Sequence, residues 1–345
     1  MFRFLRQHRR LDRREIKDRV DEYCRRHLRE RLGANPKAVL SFSQMAKGHN
    51  TILRGVNVEG VGPLVLRFFP LRRDLRTKAA EHQAVHKLLL ELGLPVAPFY
   101  FRDNSPETIK LLTAEVTAEK FLEGRRLAPE DLASPNAPLF APLLDLVVAL
   151  HQRRSDSFGR PFAQDSENSS PSEWYTARAG HYIARLSKDK FISSRDASRW
   201  KTFFASKASA LSNRPHFSLI HGDLQPANLI VDPQGKLWII DFGTVRYDHF
   251  AIDLLQLQIA LFGGAPGTFK AFLDRYFEKL GESLREYFDA DGPILAAFLA
   301  LEKAYSHCTK TSKVQRGKRR EHGDTEVFHR SAAADFLNRV WALVG

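Results

Sequence analysis

Two cysteines in 345 residues are too few for a disulfide framework, and no Cys/His cluster has the spacing of metal ligands. The chain contains no apolar run of about 18 residues, the length that would predict a membrane span. Its N-terminus, MFRFLRQHRRLDRREIKDRV, is charged throughout and lacks the apolar core of a secretory signal. Zinc-finger spacing, RNA-binding aromatic motifs and internal repeats are all missing, so nucleic acid is a disfavoured partner. A glycine-rich GxGxxG loop is missing too. These absences point to a reduced, cytoplasmic protein without a structural metal.

What the chain does have is positive charge, +13 in all. Residues 1–33 carry eleven Arg and one Lys against six acids, and KTSKVQRGKRR (310–320) adds six bases and no acid. Such runs form solvated faces or attract anions: a phosphorylated sugar, a lipid headgroup surface or a nucleic acid. Segments 1–33 and 310–320 are therefore candidates for peripheral contact at the inner membrane face. No motif speaks to the oligomeric state. The length exceeds one average domain, and a hydrophobic fraction of 43% is ample for a core.

Three regions emerge along the chain. Residues 1–35 form a basic helical extension, with an apolar stripe over 11–32 at mostly three- and four-residue spacing. Residues 36–122 read as a small antiparallel sheet with one helix. Strands are expected at 38–42, 51–58, 64–69, 98–102 and 108–116, and a helix at 74–93 that stops at Gly93 and Pro95. Residues 123–345 are mostly helical, with helices expected at 141–153, 174–186, 196–211, 252–262, 267–279, 293–309 and 328–343.

One segment dominates the functional reading. HGDLQPANLIVDPQGKLWIIDFG (221–243) sets Asp223 five residues before Asn228 and Asp241 thirteen residues after it. Between them lie an apolar run, a turn at 232–235 and a second apolar run, the pattern of a β-hairpin. Oxygen-bearing side chains at the ends of such a hairpin suit Mg²⁺ and a phosphate chain. The other reading is a surface hairpin with polar ends.

The acid, the amide, the second acid followed by Phe-Gly, and both strands together resemble the aminoglycoside phosphotransferase and choline kinase superfamily. HGD stands where protein kinases have HRD. The resemblance implies an α+β, protein-kinase-like fold of two lobes, and ATP with Mg²⁺ as cofactors, GTP being the alternative nucleotide. It implies that Asp223 is the catalytic base, that His221 braces its loop, and that Asn228 and Asp241 hold the metal. Arg67, in LVLRFF, stands where kinases carry a phosphate-contacting lysine, and Glu81 is its expected partner. Gly48 and Asn50 are candidate phosphate-loop contacts. Glu119 and Phe121 are candidates for the adenine-binding linker. His151 and Asp253 are expected to support the catalytic loop.

The expected activity is therefore transfer of the γ-phosphate to a hydroxyl of a small molecule or sugar. The charge balance favours an anionic or lipid-linked glycan acceptor over a cationic one. Two alternatives stand beside it. A protein kinase is disfavoured because a helix follows Gly243 within about ten residues, leaving little room to dock a peptide. A silent nucleotide-binding scaffold is favoured only by Arg67 and the sparse glycines.

Overall fold

A computed structural model describes residues 13–47, 51–71, 78–162, 170–212, 216–315, 329–335 and 337–338. The chain divides into two compact units. The first comprises residues 1–127 and 227–243, the second 128–226 and 244–345.

The first unit is built on a five-stranded antiparallel sheet. Its strands are β1 (Leu40–Lys47), β2 (Ile52–Val58), β3 (Gly62–Pro70), β4 (Phe99–Asp103) and β5 (Ala114–Lys120), in the order β1-β2-β3-β5-β4. Alternation sets the two faces of β3. Leu64, Leu66 and Phe68 are buried on one of them. They pack against Val20, Tyr23, Cys24 and Leu28 of the N-terminal helical segment. That segment comprises α1 (Arg13–Tyr23), a wider π-helical turn (Cys24–Leu28) and α2 (Arg29–Arg31). The described part of the basic extension, from Arg13 onward, is thus packed on this unit's core. Its polar anchors are Tyr23 Oη to Asp103 (2.9 Å), Arg31 to Asp103 (2.9 Å) and Asp21 to Arg54 (2.8 Å).

Helix α3 (Lys78–Glu91) follows the sheet's third strand. A second, shorter helix corrects the expected strand at 108–116. Residues Pro106–Leu112 form α4, and the strand begins only at Ala114. Ser105 caps α4 through its hydroxyl to the Thr108 N–H, Pro106 opens the first turn, and Thr113 ends it at φ 53°. The remaining strands of this unit are β6 (Arg125–Arg126), β9 (Leu229–Val231) and β10 (Leu237–Ile239), in the order β10-β9-β6. The hairpin β9–β10, expected with the helical region, therefore clusters with the sheet.

The second unit is helical apart from a small sheet of β7 (Arg154–Ser155), β8 (Phe217–Ile220) and β11 (Arg246–Asp248), in the order β11-β8-β7. Its helices are α5 (Phe140–Gln152), α6 (Pro171–Lys188), α7 (Ser194–Lys207), α8 (Ala251–Ala260), α9 (Pro266–Leu280) and α10 (Ser283–Gln315). Helix α10 starts ten residues before the expected Pro293 and runs through it. Residues Ile294–Leu301 are all buried, and that burial outweighs the roughly 3 kcal/mol cost of an internal proline. No helix among the described residues is long and apolar enough to cross a membrane.

Candidate active site

In the second unit, β8 is buried along its whole length and delivers the loop His221–Gln225. The loop's backbone polar groups are met from α8. Asp253 accepts the N–H of His221 (2.7 Å) and of Gly222 (2.8 Å). Gln256 accepts the N–H of Leu224 (2.6 Å) and donates to the carbonyl of Gly222 (3.1 Å). The Thr244 hydroxyl donates to the carbonyl of His221 (2.9 Å). A buried loop needs every such bond, because an unmet backbone group costs more than a made one returns.

Asp253 is fully buried and is steadied by His151, whose Nε2 lies 3.3 Å from Oδ2 and whose Nδ1 lies 2.8 Å from Tyr276 Oη. Burial by itself would raise the Asp253 carboxyl. The hydrogen bond and charge of His151, with the loop amides, overcome it and hold the group below the usual carboxylate range. The carboxylate is therefore an ionised clamp.

Gly222 is required by the turn. Its φ is +76°, and a Cβ there would lie 2.7 Å from the carbonyl oxygen of Thr244. His221 is fully buried, and its Nδ1 takes the amide of Asp223 at 3.3 Å. The ring thus braces the loop from inside.

Asp223 is half-buried. Gln225 Nε2 sits 3.0 Å from each of its carboxylate oxygens, and Lys303 Nζ lies 4.0 Å from Oδ1. A cavity of about 420 Å³ adjoins the loop in this unit, lined in part by Gln225, Gln256, Leu299 and Lys303.

In the first unit, Asn228 and Asp241 flank the paired strands β9 and β10 at one end. Ile239 pairs with Leu229, and the Ile240 N–H donates to the Asn228 carbonyl (3.0 Å). Asp241 is exposed and adopts φ +65°, a left-handed conformation that costs a non-glycine residue roughly 1–2 kcal/mol. Strain of this kind persists where the surroundings enforce it, and it clusters at functional loops. An anionic carboxylate and a neutral amide oxygen at one hairpin end are a hard-oxygen donor pair that fits Mg²⁺ once phosphate oxygens complete the shell. Among the described residues, no three His, Cys, Asp or Glu side chains are grouped to hold a metal unaided.

Phe242 is buried against α3, with its ring centroid 6.0 Å from that of His82 and 5.9 Å from that of His86. His82 Nε2 in turn lies 2.5 Å from Glu119 Oε1. The same oxygen is 3.4 Å from Arg67 Nε, within ion-pair range though not aligned for a hydrogen bond. The expected partner of Arg67, Glu81, is corrected to Glu119. Arg67 on β3 pairs with Thr117 on β5, so Glu119 two residues on shares its face and is its diagonal neighbour. From α3 it is His82 that reaches this cluster.

The linker candidates Glu119 and Phe121 lie at the end of β5. The Glu119 carboxylate is buried in the cluster, and β5 runs on through Lys120. The Phe121 N–H donates to the Pro63 carbonyl (2.9 Å), so that donor is already engaged, while its ring is 45% exposed. Gly48 and Asn50 lie outside the described residues, as do residues 1–12 and 316–320 of the two basic segments. The residues that sequence reasoning missed are His82, Gln225, Gln256 and Lys303. Only His82 left a trace, as one of two histidines spaced four apart with His86 in KAAEHQAVHK.

A family model described as "Phosphotransferase enzyme family" matches residues 49–289. No curated protein matches the chain in sequence. Solved structures share its fold, among them the following three. Choline kinase LicA from Streptococcus pneumoniae is 16% identical, with a TM-score of 0.54 over 90% of this chain and 98% of that one. ADP-bound aminoglycoside phosphotransferase APH(2'')-Ib is 15% identical, with a TM-score of 0.56 over 96% and 99%. A putative aminoglycoside phosphotransferase from Ralstonia eutropha is 15% identical, with a TM-score of 0.57 over 95% and 98%.

Proposed function

Because the chain belongs to the phosphotransferase enzyme family, we propose that it moves the γ-phosphoryl group of ATP to a hydroxyl of a small molecule, a sugar included. The observation that carries the reading is the loop of Asp223. Four backbone groups of residues 221–224 are tied to two side chains of α8, so the one carboxylate it presents is held rigidly.

Phosphoryl transfer asks little covalent chemistry of the protein, and alignment and charge neutralisation supply most of the rate. Asp223 accepts a hydrogen bond from the acceptor hydroxyl, orients it, and takes its proton late in the transfer. Gln225, bonded to both carboxylate oxygens, keeps the carboxylate in one rotamer. Asn228 and Asp241 would hold Mg²⁺, which supplies neutralisation of the phosphate charge. Arg67, set by Glu119, grips phosphate oxygens of the nucleotide with its guanidinium. An adenine nucleotide is supported by the fold shared with a protein crystallised with ADP. Work in the cytoplasm, with the basic segments near an anionic membrane face, is consistent with this substrate chemistry.

The test is thermal stabilisation by ATP and by GTP with Mg²⁺, coupled to ADP release across a panel of hydroxyl acceptors. Stabilisation by ATP together with acceptor-stimulated ADP release is the expected result. A chain that neither binds a nucleotide nor releases ADP with any acceptor sinks the proposal.

A further inference from the structure

The cavity beside Asp223 has a consistent polarity. Its described lining is Gln225, Gln256, Ile259, Ala260, Leu299, Lys303, Ser306 and His307, with no carboxylate among them. Both amides are committed. Gln225 holds Asp223, and Gln256 bridges the Leu224 amide and the Gly222 carbonyl. Lys303, Ser306 and His307 stand at i, i+3 and i+4 on α10, so they share one face of the helix. His307 is anchored through Nδ1 to His329 Nδ1 at 3.0 Å. Glu302, the acid next to Lys303, accepts from the Tyr182 hydroxyl at 3.1 Å. Lys303 keeps about a quarter of its side chain exposed and approaches Asp223 only to 4.0 Å. One loose contact leaves the ammonium donors to spare for a ligand.

From this lining we infer that the acceptor is an anionic hydroxyl compound, a phosphate monoester or a carboxylic acid. Its negative group is held by Lys303, with Ser306 and His307 beside it, while its hydroxyl meets Asp223. The inference rests on the proposed phosphotransferase chemistry of this same loop. The cavity's volume falls in the range of ordinary small-molecule sites. A cationic acceptor would need several carboxylates or the faces of Phe, Tyr or Trp around it, and beside Asp223 the described lining adds none of these. The protein's net charge of +13 would draw anions toward the surface from solution.

The experiment uses the full chain saturated with ADP and Mg²⁺, so that the nucleotide site is filled. Binding of glucose 6-phosphate, glucuronate, glucose and glucosamine is measured by calorimetry, and ADP release with ATP is followed for the same four. Wild type is expected to prefer the two anionic probes over glucose by about 10- to 100-fold, the range for hydrogen bonds to a charged partner. Lys303→Ala and Lys303→Glu should remove that preference, and Lys303→Arg should keep most of it, with the ATP KM unchanged in all three. Sedimentation with phosphatidylglycerol vesicles, lost in Lys303→Glu, would identify the anion as lipid-borne; Lys303-dependent binding of the soluble probes without it would identify a free metabolite.

Equal binding of glucose and its charged analogues overturns the inference. So does a Lys303→Ala variant that lowers kcat for every acceptor alike and leaves the charge preference intact, for Lys303 would then serve Asp223 alone. Lys303-dependent anion binding without ADP release from any probe supports this pocket and counts instead against the phosphotransferase reading.

Discussion

His82 Nε2 on α3 lies 2.5 Å from Glu119 Oε1 on β5, and that carboxylate oxygen also faces Arg67 on β3 at 3.4 Å. The His82 ring stacks on Phe242, the residue after Asp241. A single imidazole therefore ties the loop of Asp241 to the arginine that would grip phosphate. Burial would raise the Glu119 carboxyl, but the His82 hydrogen bond and the Arg67 charge prevail and push it down to about 2. Replacing Glu119 with Gln removes the buried carboxylate that faces the half-buried Arg67 guanidinium.

Glu119→Gln is expected to lower unfolding stability by about 3–5 kcal/mol, the cost of stripping one member from a buried ion pair. It should also raise the KM for ATP. A carboxylate depressed on folding stabilises the protein at pH above its ordinary value of 4.5, and that contribution is lost as pH falls toward about 2. Denaturant melts between pH 6 and pH 2 should therefore show an acid-side loss in wild type that is smaller in the variant. Parallel curves for the two proteins would remove Glu119 from this role.

Asp223→Ala is expected to reduce kcat by a factor on the order of 10²–10⁴, the usual contribution of a positioned acid–base group. Nucleotide affinity should stay within a few-fold of wild type. Gln225→Ala frees the carboxylate's rotamer and should cost less, about tenfold, because the base itself remains. Steady-state ADP release and calorimetric titration with ATP separate the two effects. An Asp223→Ala enzyme with normal turnover would falsify the assignment of the base.

Asp241→Gly opposes stability and function. Glycine adopts the φ of +65° at no steric cost, so the variant should be more stable by about 1 kcal/mol. It should at the same time lose the Mg²⁺ dependence of nucleotide binding, because the anionic oxygen donor of the Asn228–Asp241 pair is gone. Thermal melts with and without Mg²⁺–ATP give both numbers. A variant that keeps its Mg²⁺-dependent shift places the metal elsewhere.

Gly222→Ala introduces a Cβ within 2.7 Å of a backbone oxygen at a φ of +76°. That oxygen belongs to the backbone of Thr244, whose hydroxyl is itself bonded to the His221 carbonyl, so no side-chain rotation relieves the contact. We expect a loss of at least about 2 kcal/mol in stability and a lower kcat. Gly243→Ala is the control, since a Cβ there meets nothing closer than 3.6 Å. Similar melting temperatures for the two variants would show that the loop yields to a side chain.

Much of the catalytic segment is legible along the chain because it is local. The five- and thirteen-residue spacings, the turn at 232–235 and the two apolar runs all lie within 23 residues. His151 and Asp253 could also be named in advance, although only the fold brings them to 3.3 Å. The strand expected at 108–116 gives way to a helix and a later strand for a different reason. The apolar residues of Thr108–Val116 suit either period, and the Ser105–Pro106–Glu107 start signal of a helix decided the matter. Pro293 marks no boundary because the burial of the residues after it outweighs its local preference.

What the sequence determined by itself is most of the long helices and first-unit strands, and the spacing that sets Asp223, Asn228 and Asp241 around one hairpin, because those depend on neighbours within a turn or a hairpin. The tertiary structure alone decided that Glu119 and not Glu81 meets Arg67, that His82 joins them, and that Lys303 stands beside Asp223 eighty residues away. Those pairings follow from strand register and helix phase. A shift of one residue in either turns a side chain to the opposite face, and no local pattern in the chain encodes which face that is.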